Sequence, residues 1–461
     1  MPRPFSPARD DRERTADVQR ALVLQRQLAD QVSGVAITYV DHSGAGRIKV
    51  VPLDGLAIAA RSGVGFSPVI DAFVSDGGID AASPLDTPDG DLRMVPDLDQ
   101  LVVLRDPDGW AWAPGDRFRQ DGAVYANCQR TFARAQVAAG LAQGISALMA
   151  IEVEWMVGRD AGDFEPAFRG TGYGLSRFLD AAPYVRDVLE SLEAAGVRVE
   201  QIHPEYGPSQ FEVSVGAQDP VSAADTNVLV KMVIAAVTAR HGLRASFAPA
   251  VVSDHVGNGG HVHASFWQDG RNLLAGGPRR HGLTAAGESI MASLLGSLPA
   301  LLAIGAPSPS SYLRLQPSRW AGAFQVWGRE NREAAVRFVA GSPVDPGAAN
   351  AEVKCFDLSA NPYLLVGAVM AVALDGASRQ DSLPDEVTGD PAAPGHPLAA
   401  TAVRLPGSLA ETLTALEASD VLRAAAGAEL ITTFAASRRA ELALCDGKKD
   451  EDVIAHYRWL I

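Results

Sequence analysis

Two glutamates stand near the two ends of one short extended stretch, and this stretch constrains the fold more than any other. It reads HPEYGPSQFEV, from His203 to Val213, with β-branched residues before and after it. Such residues at this spacing predict two strands with a bend at Gly207-Pro208. The bend is one way to bring Glu205 and Glu212 onto one cavity wall, where they repel each other unless a cation or a shared proton lies between them. Taken alone, the stretch also fits two exposed glutamates at strand ends.

Length and composition exclude several classes of protein. The 461 residues are enough for two to four domains, and a hydrophobic content of 47% is ordinary for a water-soluble globular chain. A net charge of −15 argues against a general nucleic-acid-binding protein. The three cysteines are widely spaced, which fits a reducing cytoplasm better than a disulfide framework. Because no apolar run is long enough to span a membrane and the first residues are charged, we expect neither a membrane span nor a secretory signal.

Turn-rich segments divide the chain into three predicted parts. Residues 1–15 are rich in Pro, Arg and Asp, and we expect them to form a disordered tail. Residues 16–112 predict a small α+β domain that starts with a helix from Asp17 to about Val32. Residues 113–461 hold longer strands and helices and predict a second, larger region.

Several elements of the larger region follow from local patterns. Residues 184–195 predict a helix, residues 247–252 predict a strand, and residues 410–444 predict two helices. Asn361-Pro362 is typical of a helix start, because Asn caps the helix and Pro occupies the first turn without losing a hydrogen bond.

Acidic residues and histidines interrupt the apolar strands of this region. Residues 147–157 predict one strand, in which strict alternation places Glu152 and Glu154 on the same face. The full set contains five carboxylates and two imidazoles: Glu152, Glu154, Glu205, Glu212, His261, His263 and Glu352. Each residue alone is more often a surface or structural residue. Together, many oxygen donors and few nitrogens suit Mg²⁺ or Mn²⁺ better than Zn²⁺.

Arginines form a second polar family. Arg314 lies in an SYLRLQP segment, and Arg332 and Arg337 lie in NREAAVRF. Arginine binds carboxylate and phosphate groups in a bidentate manner. Carboxylates that can hold metals, together with clustered arginines, are the groups that phosphoryl transfer from a nucleotide requires. The chain contains neither a GxxxxGK[ST] motif nor a kinase-type glycine loop, so neither of those folds is supported.

Five motifs in the same order resemble those of the glutamine synthetase superfamily. They are the E-x-E strand at Glu152–Glu154, a segment from Glu200 to Glu212, the G-x-G-x-H-x-H-x-S loop at Gly257–Ser265, the arginine segments, and Glu352 followed by Asn361-Pro362-Tyr363. The second segment has the one-residue-shorter form of the γ-glutamyl-amine ligase branches. The likeness covers about residues 35–375.

The resemblance implies a set of metal ligands. One metal would be bound by Glu154, Glu205 and Glu212. The other would be bound by Glu152, His261 and Glu352. The implied cofactors are Mg²⁺ or Mn²⁺, with ATP as a co-substrate.

The resemblance also implies roles in substrate binding and catalysis. Nucleotide contacts are implied for Glu200, His263, Ser265 and Arg337. Contacts with glutamate or the acceptor are implied for the backbone of Gly257, Arg314, Trp320, Arg332 and Lys354. The catalytic residues would be Arg332, Arg337 and Glu352.

The architecture that the resemblance implies is α+β. A small β-grasp-like N-terminal domain would precede a large catalytic domain with a curved antiparallel sheet and covering helices. Active sites would lie between the subunits of a cytoplasmic homo-oligomer, a dodecamer of two hexameric rings. No nucleic acid or membrane partner is implied.

The departures from the family pattern concern the acceptor pocket. Trp320 stands where a glutamate helps to bind and deprotonate ammonium, and Ser67 stands where an aspartate is expected. Lys354 replaces a usual arginine and cannot form the same bidentate contact. A lysine expected near Pro249 is absent. Since the metal ligands remain, we expect phosphoryl transfer to persist with a changed nucleophile.

These departures favour one reaction over two alternatives. An ATP-dependent ligase would join the γ-carboxylate of glutamate to a primary amine through γ-glutamyl phosphate, with Glu330 and Asp71 as candidate bases. The absence of an acidic channel in the pocket segments favours a small amine such as ethanolamine over a polyamine. The alternatives are an ammonia-using glutamine synthetase, and a non-catalytic family member that acts as a binding or regulatory protein.

Overall fold

The computed structural model describes residues 5–80, 82–159 and 162–461. The strands are β1 (Gly34–Val40), β2 (Gly46–Pro52), β3 (Val64–Phe66), β4 (Leu92–Pro96), β5 (Val102–Val103), β6 (Trp110–Arg119), β7 (Ile145–Ile151), β8 (Val153–Gly158), β9 (Val199–Pro204), β10 (Gln210–Val215), β11 (Arg244–Ser246), β12 (Val262–Gln268), β13 (Arg271–Asn272), β14 (Phe324–Arg329), β15 (Ala334–Val339) and β16 (Asn350–Val353). The helices are α1 (Asp11–Leu28), α2 (Leu56–Ser62), α3 (Gln129–Ala142), α4 (Leu175–Ala194), α5 (Pro220–Arg240), α6 (Ala285–Gly305), α7 (Ser311–Arg314), α8 (Pro362–Ser378), α9 (Leu409–Ala418), α10 (Asp420–Ala426), α11 (Ala428–Cys445) and α12 (Asp450–Tyr457).

The first sheet has the order β2-β1-β6-β4-β3, and β5 also pairs with β6. Strand β6 runs past residue 112, where the sequence predicts a domain boundary, so the sheet continues to Arg119. Helix α1 begins at Asp11 rather than at the predicted Asp17, because Asp10 and Glu13 form a capping box around its first turn. The prediction of disorder is therefore wrong for residues 11–15, and residues 1–4 lie outside the described residues.

Two further sheets form the large region. One has the order β11-β8-β10-β9, and the other has the order β13-β12-β16-β15-β14, with β7 paired to β12. The predicted hairpin is confirmed, since β9 and β10 pair in antiparallel register across the Gly207-Pro208 bend. The predicted single strand over residues 147–157 is wrong, because β7 and β8 belong to different sheets and the chain changes sheet at Glu152.

Helices cover these sheets, and several begin or end away from their predicted positions. Helix α4 begins at Leu175 and contains Pro183, so it starts before the predicted Tyr184. The predicted strand over residues 247–252 is wrong, since β11 ends at Ser246. Three helices, α9 to α11, occupy the region where two are predicted. The Asn361 cap is confirmed, because its side chain accepts two N–H groups of the first turn of α8.

Buried arginine–aspartate contacts join the first sheet to the helices of the large region. Arg130 of α3 contacts Asp97 at 2.8 Å, Asp116 at 2.9 Å and Asp225 of α5 at 2.8 Å. Because these groups are largely or fully withdrawn from water, the charge of each side chain must be compensated by its partners in the group. The contacts fix the first sheet, through β6 and the end of β4, against α3 and α5.

Two helices, α5 and α6, are long and apolar enough to cross a membrane. Most of the apolar window of each helix, 67% and 72% respectively, is buried inside the protein. Burial of this kind is typical of core helices, so these two helices are weak grounds for a membrane span.

Candidate active site

Three adjacent strands bring polar residues of distant chain segments into one row. His263 of β12 pairs in register with Glu352 of β16, and Glu352 pairs in register with Arg337 of β15. Since side chains of directly paired residues extend from the same face of a sheet, the imidazole, the carboxylate and the guanidinium lie side by side. Glu152, at the junction of β7 and β8, completes this group from the neighbouring chain segment.

Two histidines and two glutamates of this group are in direct contact. Nδ1 of His261 lies 3.1 Å from Oε2 of Glu152 and 3.4 Å from Oε1 of Glu352. Nε2 of His263 lies 3.3 Å from Oε1 of Glu152 and 3.9 Å from Oε1 of Glu352. The structure therefore brings together the three residues that the resemblance assigns to one metal, and it adds His263.

The other three predicted metal ligands lie on the adjoining sheet. Glu212 of β10 stands directly opposite Glu154 of β8. Oε2 of Glu154 accepts hydrogen bonds from the Gly259 backbone N–H at 2.8 Å and from Gln210 at 3.1 Å. Glu205 follows β9 and accepts a hydrogen bond from the hydroxyl of Tyr173. His261 links the two groups, because its Nε2 lies 3.7 Å from Oε1 of Glu154.

Cationic side chains surround Glu352 and His261. Nη1 of Arg337 donates to Oε2 of Glu352 at 3.0 Å, and Nζ of Lys354 donates to Oε1 at 3.1 Å. Nη2 of Arg314 lies 3.1 Å from Nε2 of His261. Lys354 is buried, so it acts as a point charge on Glu352 rather than as the bidentate group that an arginine would supply.

These contacts divide the carboxylates into two electrostatic classes. Burial alone would raise the pKa of Glu352, but Lys354 and the two histidines outweigh it and hold that pKa at about 2. Burial also favours the protonated form of Glu152, but contacts with His261 and His263 hold the pKa of Glu152 well below its usual range. By contrast, burial and the neighbouring charge of Glu212 raise the pKa of Glu154 to about 8.

The histidines differ in the same way. Burial and the charge of Lys354 lower the pKa of His261 to about 4. Burial opposes protonation of His263 too, but close contact with the charged Glu152 raises its pKa to about 9. His261 is therefore neutral at pH 7 and able to act as a metal ligand, whereas His263 must lose a proton to do so.

The donor set fits a divalent cation. One ligand atom each from Glu152, His263 and Glu352 lies within 4.8 Å of the others. Nε2 of His263 is buried and lies 3.3 Å from Oε1 of Glu152, but the two atoms are not aligned as a full hydrogen bond. Two carboxylates and one imidazole suit a hard or borderline divalent ion. The assignment of His261 to the metal and His263 to the nucleotide stays a prediction.

Other predicted residues lie outside this cluster. Glu200 is exposed and forms an ion pair with Arg198 at 2.6 Å. Arg332 is also exposed, and Ser265 is buried and accepts a hydrogen bond from the indole of Trp267 at 2.9 Å. The side chain of Trp320 is exposed as well. Their predicted roles stay predictions.

The two candidate bases are both engaged in ion pairs. Asp71 is buried, and Nη1 of Arg117 contacts both of its carboxylate oxygens at 2.7 Å. Glu330 accepts a hydrogen bond from Arg337 at 2.9 Å, and Arg337 also donates to Glu352, so Arg337 connects Glu330 to the cluster. In this chain Asp71 therefore supports the first sheet, and only Glu330 is linked to the cluster.

Several residues that hold the site were not singled out from the sequence. Gln210 donates to Glu154, to the carbonyl of Gly257 at 3.0 Å and to Asn258 at 2.9 Å. Asn258 is fully buried and donates to the carbonyls of residues 246 and 248. Tyr173 holds Glu205 across 32 positions of sequence. Gln210 lies in the HPEYGPSQFEV stretch and Asn258 lies in the glycine loop, so both could have been found from their position in these motifs. No local sequence pattern marks Tyr173.

Fold and site together define an enzyme of the metal-dependent, nucleotide-using ligase class. Residues 126–457 match the family model described as glutamine synthetase, catalytic domain. The chain is 51% identical to the γ-glutamylpolyamine synthetase GlnA3 of Streptomyces coelicolor over 97% of both chains. It is 28% identical to a glutamine synthetase of Rhizobium leguminosarum over 86% of this chain and 90% of that one. This chain belongs to the glutamine synthetase family.

Solved structures agree with this membership. A crystal structure described as a novel glutamine synthase homologue aligns with a TM-score of 0.84 at 31% identity, and the alignment covers 93% of this chain and 99% of that chain. A GmaS/ADP complex aligns with a TM-score of 0.81 at 26% identity, over 92% of this chain and 97% of that chain. The predicted fold class and the predicted ligase class are confirmed, and the family uses ATP with divalent metals.

Proposed function

We propose that this chain joins the γ-carboxylate of glutamate to a primary amine through γ-glutamyl phosphate, and that the acceptor amine is a polyamine. The observation that carries the proposal is the 51% identity with a γ-glutamylpolyamine synthetase over 97% of the chain. The sequence alone slightly favours ethanolamine, because no acidic channel is evident in the pocket segments. Both amines would take part in the same reaction, so the choice between them is a choice of acceptor. The similarity to a γ-glutamylpolyamine synthetase extends over nearly the whole chain, and it therefore outweighs the preference for ethanolamine.

The side chains of the cluster suit the first half of this reaction. Glu152, Glu352 and a histidine would hold Mg²⁺ or Mn²⁺, which neutralises negative charge on a transferring phosphoryl group. Nη1 of Arg337 donates to Glu352 and Nη2 donates to Glu330, so the guanidinium is held beside the cluster. Lys354 adds a buried positive charge beside it. These cations favour a transition state in which negative charge accumulates on phosphate oxygens.

The acceptor side suits an amine that carries carbon. Trp320 replaces the carboxylate that attracts ammonium in the family pattern, and most of its indole is exposed. An indole offers an apolar face to methylene groups and a π-system to an ammonium group. Ammonia lacks the methylene groups, so it gains less from this side chain than an alkyl amine does.

Phosphate release in the steady state tests the proposal. ATP, glutamate and a divalent cation would be supplied with putrescine, spermidine, ethanolamine or ammonia. We expect the highest kcat/KM with a polyamine, and no turnover with the Glu205→Ala protein. Ammonia as the best acceptor would instead favour the glutamine synthetase reaction. Absence of metal-dependent ATP turnover in the wild-type protein would favour the non-catalytic alternative.

A cytoplasmic homo-oligomer is part of the same proposal. Among the described residues, strand β2 pairs only with β1, and its Ile48 and Val50 are about half exposed. An apolar strand at a sheet edge is a surface that another subunit can cover. Light scattering tests the predicted dodecamer of two hexameric rings, and Ile48→Lys with Val50→Lys should yield smaller species.

The free thiols of Cys128, Cys355 and Cys445 support a reducing compartment.

A further inference from the structure

A short segment around Trp320 has an unusual backbone. Ser318 and Trp320 both adopt positive φ values, 58° and 56°, and Gly322 follows with a φ of 73°. Residues other than glycine rarely adopt this left-handed conformation, and each such residue costs about 1 kcal/mol or more. Two of them within three positions require a compensating contact from elsewhere in the protein.

Glu333 supplies that contact. Its Oε1 accepts the backbone N–H of Ser318 at 2.9 Å, and its Oε2 accepts the backbone N–H of Trp320 at 2.9 Å. The residue is only 4% exposed, so both hydrogen bonds are shielded from competing water. A carboxylate is the one common side-chain group that offers two equivalent acceptor oxygens for two donors on alternate residues.

The segment connects the acceptor side to the candidate active site. It begins four positions after Arg314, whose guanidinium contacts His261. At its end, a Cβ added to Gly322 would lie 2.9 Å from Cα of Ala335 and 3.3 Å from Cβ of Lys354, so the chain passes tightly over β15 and the residue that follows β16. Within the segment, Arg319 donates to the carbonyl of Asp254 at 3.0 Å. The backbone of the segment is thus closely packed at Gly322, and Glu333 holds it at Ser318 and Trp320.

We infer that Glu333 is a positioning residue that sets amine selectivity, because it fixes the backbone from which the Trp320 side chain meets the acceptor. The inference rests on the proposed function, since it concerns which amine is accepted. Glu333 itself is buried beneath the segment and does not need to touch the substrate. When the two backbone N–H groups lose their shared acceptor, the left-handed turn relaxes and the indole leaves its position.

The first test compares Glu333→Gln with a matched control. Glutamine has nearly the same shape but only one acceptor oxygen, so one of the two N–H groups faces an amide NH₂ instead. We expect KM for the polyamine to rise roughly tenfold and the preference for polyamine over ammonia to fall by a similar factor. KM for glutamate and for ATP should change by less than about twofold.

Glu386→Gln is the control for this substitution. Glu386 also accepts a backbone N–H, that of Arg329 at 3.0 Å, and it contacts His281 at 2.6 Å, but it does not touch the 318–322 segment. We expect its stability to change while its amine KM and its ammonia discrimination stay at wild-type values. An equal loss of selectivity in both variants would overturn the inference.

Two further measurements separate the positioning role from general stability. Hydrogen exchange of the 315–323 peptide should be faster in Glu333→Gln than in the wild type or the control. Trp320→Ala, which leaves the backbone acceptor in place, should reproduce the rise in amine KM with unchanged exchange. Unchanged exchange in Glu333→Gln, or unchanged amine KM in Trp320→Ala, would overturn the inference even if amine ligation is confirmed. Wild-type protein without amine-dependent turnover would instead refute the proposed function, and the exchange rates would still decide whether Glu333 holds the segment.

Discussion

Glu212 lies directly opposite Glu154 on neighbouring antiparallel strands, and both side chains are buried. Like charges in directly opposed positions destabilise a sheet, and burial adds the cost of removing a charge from water. Burial raises the pKa of both groups. The charge of Glu212 raises the pKa of Glu154 further, and the charges of Glu152 and Glu205 raise the pKa of Glu212. The metal-free protein therefore keeps a proton on Glu154 at neutral pH, and a divalent cation can replace that proton.

Glu154→Gln is expected to stabilise the metal-free protein in a pH-dependent way. The pKa of Glu154 is about 8 in the folded protein, above its value of 4.5 in an unfolded chain. The unfolded chain thus releases its proton at lower pH, so the stability that Glu154 contributes is complete below about pH 4.5 and is lost as pH rises through about 8. Glutamine does not titrate, so the advantage of the variant should grow over this range to roughly 1–3 kcal/mol.

Urea unfolding in the presence of a chelator, at several pH values, checks this expectation. The free energies of unfolding of wild type and Glu154→Gln should converge near pH 4.5 and diverge up to about pH 8. A difference that does not depend on pH would contradict the assigned electrostatics. The same variant should lose metal-dependent activity, so the residue trades stability for function.

Metal binding is expected to release protons at pH 7. Glu154, with a pKa of about 8, and His263, with a pKa of about 9, are both mainly protonated in the metal-free protein. A metal ligand must be deprotonated, so binding of Mn²⁺ displaces protons into the buffer, and affinity rises with pH in this range.

Calorimetry in two buffers with different ionisation heats measures that release. The apparent binding enthalpy should differ between the buffers, and the difference should shrink in Glu154→Gln. Identical enthalpies in both buffers would show that these groups are already ionised before the metal binds.

Features that depend on one short chain segment could be predicted from the sequence, whereas features that depend on pairing between distant segments could not. The β9–β10 hairpin and the Asn361 cap both depend on local alternation or turn residues, which the sequence displays. The change of sheet at Glu152 could not be predicted from such a pattern. The sequences of β7 and β8 look like one strand until their partner strands, β12 and β10, are known.

Side-chain partners distant in sequence were equally out of reach. Pro183 argues against a helix interior, yet α4 begins at Leu175 and contains Pro183 near its middle. Asp71 resembled a candidate base because its partner, Arg117, lies 46 positions away. Similarly, no local pattern marks Glu333 as the acceptor for Ser318 and Trp320.

Asp71→Asn is expected to reduce stability rather than chemistry. Asp71 and Arg117 form a buried pair, with Nη1 of Arg117 2.7 Å from both carboxylate oxygens. Removal of one partner leaves an uncompensated buried guanidinium, which costs about 3 kcal/mol or more. Thermal unfolding should show a large loss of stability, while KM for the amine at a temperature where the variant stays folded should be close to wild type. A pH profile that loses its basic limb without loss of stability would instead restore Asp71 as the base.

Gly257→Ala is expected to impair glutamate use through the backbone of the glycine loop. A Cβ at this position would lie 1.7 Å from the carbonyl oxygen of Pro249 and 3.1 Å from Cγ of Arg314, so the loop must move. The shift would displace the carbonyl that accepts from Gln210 at 3.0 Å and the neighbouring Asn258. Because displacements of about 1 Å can cost two orders of magnitude in rate, we expect kcat/KM for glutamate to fall by about 10–100-fold.

Gly296→Ala is the matched control for this substitution. Gly296 lies inside α6, and a Cβ added there meets no atom of the described residues within 4 Å outside the backbone of the helix itself. Alanine is a better helix former than glycine, so this variant should be up to about 1 kcal/mol more stable and equally active. Comparison of kcat/KM for glutamate in the two variants isolates the effect of close backbone approach at the glycine loop. Wild-type kinetics in Gly257→Ala would show that the loop can yield without disturbing Arg314, and that the predicted glutamate contact of the Gly257 backbone is not needed.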